Sequence, residues 1–278
     1  MTGFLRVFAF SIAALSLAAP WPAAAAGLFA DSNLEAAVRQ YVFGKRDNKE
    51  PLTEDDVKSL STVSARGRGI KSLAGLEKCK SLMLLEIPDN QVSDLTPLEP
   101  LTLLQSLDLT NNQVRDLKPL ASLTNLQYLN LTGNQVSDLA PLAKLTSLNS
   151  LYLAGNRVSD LTPLRELNRL WSLYLENNQV ADLKPIAGLP FLSSLSLEGN
   201  RVADLTPLEG MKSLRNLYLD KNRVRDLTAL ITLAKKDEGG SPRFVTLAGN
   251  PLSPAAKSQV AELQKLWWNV TLTAAKQP

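Results

Sequence analysis

Asparagine returns every 22 residues, seven times without a slip, at Asn90, Asn112, Asn134, Asn156, Asn178, Asn200 and Asn222. The same frame surrounds each one, L-x-x-L-x-L-x-x-N-x-V-x-D-L-x-P-L-x-x-L. One copy reads Leu148, Leu151, Leu153, Asn156, Val158, Asp160, Leu161, Pro163, Leu164 and Leu167. This period leaves the chain little choice of fold. A single unit cannot bury its own apolar face, but a stack of units buries one continuous core.

The L-x-L step has period two and reads as a short strand with both leucines inward. One strand per coil gives a parallel sheet whose neighbours stand about 4.8 Å apart. The residues between the leucines then face outward, on the concave side. Val158, Leu161, Leu164 and Leu167 return to the same core from the opposite wall. Pro97, Pro119, Pro141, Pro163, Pro185 and Pro207 forbid a long helix there and suit a single tight 3₁₀ turn. The expected fold is an α/β, right-handed leucine-rich-repeat solenoid. It has a curved parallel β-sheet on the concave face, short 3₁₀ or turn segments on the convex face, and helical N- and C-terminal caps.

The asparagine row has a structural reason. Backbone groups lose their ladder partners where the chain leaves the strand, and buried ones must be paired. An inward amide carries two donors and an acceptor, so it serves neighbouring coils. The first, weaker repeat keeps Ile70, Leu73 and Leu76 but has Arg68 in the asparagine place, as suits a terminal coil. The second polar row is Asp94, Asp116, Asp138, Asp160, Asp182, Asp204 and Asp226. Carboxylates about 5 Å apart repel by roughly 1 kcal/mol even at the dielectric of water. Either each caps the following turn by accepting backbone N–H groups, or the row is a cation ladder. The coils lack the glycine-rich nonapeptides of calcium-binding repeats, which favours capping.

Four segments follow. Residues 1–26 read as a signal peptide: Arg6, an apolar run of 13 residues from Val7 to Ala19, then Ala24-Ala25-Ala26 as a small-residue cleavage site. That run is too short to span a bilayer. Residues 27–67 form a helical N-terminal cap. Leu34, Ala37, Val38, Tyr41 and Val42 make a helical stripe closed by Gly44, and Thr53-Glu54-Asp55-Asp56 resembles a capping box opening a second helix through Val57 and Leu60. Residues 68–252 carry the repeats. After Leu233 a charged loop, Lys235 to Pro242, delays the final copy (Val245, Leu247, Asn250) by six residues. Residues 253–278 form a helix-strand cap. Ser253 and Pro254 are expected at its N-cap and first position, Val270 and Leu272 in its strand, and Trp267 and Trp268 over the end of the core.

The chain has no histidine and one cysteine. That removes Ser-His-Asp triads, Cys-His pairs and histidine metal sites together. Cys79 occupies the frame position of Leu101 one repeat later, so it is a core thiol. There is no G-x-S-x-G and no phosphate-binding G-x-x-x-x-G-K. No cofactor and no metal are expected. The net charge of +3 lacks the concentrated basic face that nucleic acid requires. A carboxylate pair for glycoside hydrolysis is the one chemistry left open. Glu176, Glu198 and Asp220 face outward on adjacent coils, about 5 Å apart, but acidic residues in register give that spacing in any solenoid.

The outward strand positions also carry four of the five tyrosines. Tyr152 and Tyr174 share a row, Tyr218 lies further along it past Ser196, Tyr128 precedes them, and Trp171 stands at the strand entry beside Tyr174. Amphipathic aromatics on a rigid sheet give contact area at low entropy cost. Tyrosine also simply suits an outward strand position. Asp108 and Glu86 add to the acidity of this face, and Arg157, Arg201 and Arg223 make the adjacent rim basic.

The 22-residue frame with N-x-V-x-D-L-x-P-L resembles the internalin-type leucine-rich repeats of bacterial surface proteins. It is also similar to repeats in a eukaryotic regulatory subunit of a protein phosphatase. Gly75-Leu76-Glu77 and Gly249-Asn250-Pro251-Leu252-Ser253 resemble the cap junctions of such bacterial proteins. The resemblance covers most of residues 28–272 and implies a binding function without naming a ligand. The expectation is an exported, non-enzymatic monomer, periplasmic or secreted, with no stable membrane anchor. It would bind a protein partner through Tyr128, Tyr152, Trp171, Tyr174, Glu176, Glu198, Tyr218 and Asp220. The rival is a carbohydrate-binding module using the same tyrosines. If residues 1–26 direct export, intact-mass measurement of natively expressed protein shows loss of about the first 26 residues. A full-length product alone would contradict it.

Overall fold

The computed structural model describes residues 27–236 and 243–273. The segment expected to be a signal peptide lies outside them. Ten strands form one sheet in sequence order, and every neighbouring pair is parallel. They are β1 (Thr62–Ser64), β2 (Leu84–Glu86), β3 (Ser106–Asp108), β4 (Tyr128–Asn130), β5 (Ser150–Tyr152), β6 (Ser172–Tyr174), β7 (Ser194–Ser196), β8 (Asn216–Tyr218), β9 (Arg243–Thr246) and β10 (Trp268–Thr271). The expected leucine-rich-repeat solenoid is what forms. Each of β2 to β8 is joined to its predecessor by a coil of the 22-residue repeat, and proline-containing 3₁₀ turns such as Thr162–Leu164 stand opposite the strands. The inward leucines form one core from cap to cap, with exposures of 3% or less throughout the frame. Cys79 lies in that core, and burial pushes its thiol up to about 12.

The asparagines are buried and hold coil to coil. Asn156 accepts the Val136 N–H at 2.9 Å and donates to the Leu131 carbonyl at 2.8 Å, both in the preceding coil. It also donates to Leu153 and Ala154 in its own. Asn90 does the same for the first coil, accepting from Arg68 and Ile70. The service runs one way, towards the N-terminus. The first coil has no predecessor to serve, so Arg68 fits where asparagine would stand. Just before each asparagine the backbone takes a left-handed turn, from Asp89 (φ 59°) to Lys221 (φ 55°). At Gly133 (φ 69°) an added Cβ would meet Asn111 Oδ1 at 2.2 Å.

All seven aspartates accept the backbone N–H two residues on, at 2.8–2.9 Å. They sit one place ahead of the N-cap residue, which is a buried leucine such as Leu161. The bond is therefore an Asx turn leading into the helical turn. Hydrogen bonding by the threonine two residues on holds the carboxyls of Asp94, Asp160, Asp204 and Asp226 below 3.8.

At the N-terminus, α1 (Ser32–Arg39) buries Leu34, Ala37 and Val38. Asp31 caps it through Oδ1, accepting from Asn33 and Leu34. Its other oxygen accepts from Lys71 and Ser72 of the first coil, at 2.7 and 3.2 Å. A short α2 (Glu54–Val57) has the expected Thr53–Asp56 capping box. The helix pattern ends at Arg39, well before Gly44, and a 3₁₀ turn fills Phe43–Lys45. Tyr41 packs little, but its hydroxyl takes the Ser64 N–H at 2.9 Å and lies 3.4 Å from the Ser64 carbonyl. Strand β1 falls inside the segment read from sequence as purely helical, because its coil lacks the asparagine frame.

At the other end, the sequence expectation needs three corrections. A real helix, α3 (Thr228–Lys235), replaces the 3₁₀ turn of its coil. Ala229 stands there where earlier coils have proline, and the six extra residues give it length. The second helix, α4 (Ala256–Lys265), starts after Ala255, with no side-chain cap from Ser253. Only Trp268 covers the core. It is 4% exposed and stacks on the Arg243 guanidinium at 5.3 Å, whereas Trp267 turns outward at φ 66° and is 76% exposed. Most of the Lys235–Pro242 loop lies outside the described residues.

Asn156→Ala should destabilise the fold by about 3 kcal/mol or more, because it strands buried donors and acceptors in two coils. Asp160→Ala should cost about 1 kcal/mol, the loss of one cap. Denaturant unfolding of the two variants separates them. The lowered aspartates stabilise the fold above their unfolded value of 3.8, and that contribution disappears as pH falls through their folded values. Asp56, held to about 2 chiefly by its bond with Lys45, sets the lower limit. The melting temperature should therefore drop between about pH 4 and about pH 2.

Candidate functional site

Strand register arranges the outward residues in rows. One row runs Tyr128, Ser150, Ser172, Ser194, Asn216, Phe244 along successive strands. The next runs Asn130, Tyr152, Tyr174, Ser196, Tyr218, Thr246. The inward places between them belong to leucine (Val245 on β9), so these side chains are positioned by a core they do not enter.

The tyrosines meet. Tyr152 and Tyr174 stack with centroids 4.7 Å apart and planes 5° apart, close to the spacing of the strands themselves. Tyr128 joins at 5.4 Å, tilted by 43°. Tyr218 meets not a tyrosine but Phe244, edge-on at 5.7 Å. Phe244 was missed in sequence, although Val245 as an inward residue already placed it outward. Burial pushes the phenols of Tyr128 and Tyr174 above 10, and the nearby Ser194 hydroxyl opposes the shift at Tyr174. Trp171 stands one residue before β6 and is 58% exposed.

The acidic residues do not act alike. Glu198 pairs with Lys221 at 2.8 Å. Asp220 is 6% exposed and accepts the Ala248 N–H at 2.6 Å, so it belongs to the backbone more than to a partner. Glu176 is half-buried, and its Oε2 is shielded without a hydrogen-bond partner. The retaining pair left open by sequence therefore finds two of its three carboxylates already engaged. Arg157, Arg201 and Arg223 are exposed along the rim. Among the described residues no group of three or more His, Cys, Asp and Glu side chains is placed to hold a metal ion.

A parallel sheet of one strand per coil, pinned by an asparagine ladder, defines a leucine-rich-repeat protein. The family model for leucine-rich repeats in two copies matches residues 124–166, 168–210 and 190–232. Internalin C2 of Listeria monocytogenes superposes with a TM-score of 0.72 at 33% identity, covering 80% of this chain and 95% of that one. Internalin F of the same organism gives 0.70 at 27%, covering 89% and 78%. A leucine-rich-repeat protein of Leptospira interrogans gives 0.57 at 24%, covering 71% and 62%. No curated protein matches the chain. The chain belongs to the internalin-type leucine-rich-repeat family.

Tyr152→Ala should lower stability by at most about 1 kcal/mol, because it loses ring contacts but no core contact. Leu151→Ala on the same strand should cost about 2–5 kcal/mol. Thermal melts of the pair check that the tyrosine row lies outside the core.

Proposed function

We propose that this chain is an exported, non-enzymatic module that binds a protein partner through the concave face of its sheet. The observation that carries the reading is the aromatic run Tyr128–Tyr152–Tyr174, half-exposed on strands with little freedom. Rings held this way lose little entropy on binding, which is how hot spots work. Trp171, Glu176, Glu198, Tyr218 and Asp220 are the further positions of this binding face. Family membership supports a binding module of this kind. Export rests on residues 1–26. No helix among the described residues is long and apolar enough to cross a membrane.

Carbohydrate binding has less support. A sugar stacks on an open aromatic face, and the facing sides of Tyr152 and Tyr174 already cover each other. The test begins with affinity capture of a partner from cell envelope and culture medium. The double variant Tyr152→Ala/Tyr174→Ala should then weaken binding by about 2 kcal/mol or more. Arg201→Ala/Arg223→Ala should alter the salt dependence of association more than the dissociation rate. If the double tyrosine variant binds as tightly as the parent, the concave face is not the binding surface.

A further inference from the structure

The sheet ends at β10 with its ladder unfinished. After every earlier strand, from Ala65 behind β1 to Leu247 behind β9, one inward residue donates its N–H to a carbonyl of the next strand, at 2.8–3.0 Å. Those residues are 3% exposed or less. Leu272 holds the same place behind β10, no strand follows among the described residues, and its side chain is 45% exposed. Alternate residues of a parallel strand bond to opposite neighbours. The Thr271 carbonyl bonds to the Leu247 N–H of the preceding coil, so the backbone groups of Trp268, Val270 and Leu272 face away from the sheet.

This edge also lacks the usual protection. Natural edge strands are blunted by charge, proline, a bulge or a covering segment. Residues 266–273 hold no charge and no proline, and β10 pairs with β9 without a bulge. Trp267 is exposed at its entry and Leu272 at its exit. The opposite edge differs. There the Tyr41 hydroxyl takes the Ser64 N–H, an outward group of β1.

The open strand is complementary to itself. A second β10, antiparallel and related by a two-fold axis through Val270, brings the two Val270 residues opposite each other. Both then exchange N–H and carbonyl bonds. The same register sets Leu272 opposite Trp268 of the second copy, on the core side of both sheets. The exposed leucine thus gains the apolar neighbour that every earlier coil supplies. Head-to-tail addition would instead bring β10 to the edge that Tyr41 guards. An isologous contact uses the open edge twice and closes at two copies. We propose that β10 is a dimerisation edge, on which a second copy of this chain adds its own β10 in antiparallel register centred on Val270. The contact is at the small end of specific interfaces, so the dimer forms and dissociates with concentration. It departs from the monomer expected from sequence and stands independently of the concave-face reading. An axis perpendicular to the sheet leaves both tyrosine runs on one side of the dimer, open to a bivalent partner.

The test is sedimentation equilibrium of the natively expressed protein at loadings from about 1 to about 500 µM, the span over which small interfaces associate. The mass should rise towards that of two chains and no further. Leu272→Lys, at an exposed position, should weaken the dimer at least about tenfold while the melting temperature is kept. The register is read by cross-linking. Asn269 and Thr271 of the two copies would face each other on the concave side, about 4.5 Å apart at Cα, within disulfide reach. Asn269→Cys/Thr271→Cys should therefore give a covalent dimer under mild oxidation, and neither single variant should. The native Cys79 is buried and does not compete. A single-chain mass at every loading, a dimer indifferent to Leu272→Lys, or no cross-link in the double variant would overturn the proposal. So would a monomer whose captured partner is lost with Leu272→Lys, because the edge would then belong to a strand of that partner.

Discussion

Everything in this molecule depends on how a buried asparagine is satisfied. Each one bridges two coils with bonds of 2.7–3.3 Å, and it does so at 8% exposure or less from Asn90 to Asn222. A leucine core alone would bind coils together without fixing their register, because apolar contact is not directional. The amide supplies the direction. It ties a backbone carbonyl and a backbone N–H of one coil to a side chain of the next, so neither coil meets its hydrogen bonds alone. Stability in such a stack is a nearest-neighbour property. The end coils feel this most. Asp31 anchors the N-terminal one with two backbone bonds, and Arg243 with Trp268 closes the other.

The concave face inherits its order from that ladder. Ring spacing in the Tyr152–Tyr174 stack matches strand spacing because leucines fix both strands from beneath. The surface is therefore built by repetition, and its individuality comes from departures. Serine at 196 interrupts the tyrosines of one row, and in the next a paired glutamate at 198 stands beside a buried aspartate at 220.

The sequence announced the fold because its signal is periodic and redundant. Seven copies of one frame overdetermine strand, core and turn, and a conflict in one copy is outvoted by the others. The left-handed turn was equally legible, since Asp, Asn or Gly precedes six of the seven asparagines, with Lys221 the exception. The misread parts are those written once. Strand β1 lacks its asparagine, α3 appears where a proline is absent, and Trp267 and Trp268 are adjacent in sequence but opposite in exposure. The site was legible as a set of outward positions. Which acids are engaged depended on contacts across coils that no single repeat encodes, such as Lys221 with Glu198 and Ala248 with Asp220.

The Tyr41 hydroxyl has a consequence for assembly. It occupies both the N–H and the carbonyl side of Ser64, two of the outer groups of the first strand. An open sheet edge is a template on which another chain adds. Filaments of identical units grow head to tail, and that contact requires a receptive edge at both ends of every unit. Stopping one end is sufficient to stop all of them. A single phenol, reaching 23 residues along the chain, thus withdraws one backbone N–H and carbonyl from the outer edge of a structure whose whole principle is addition of one more strand.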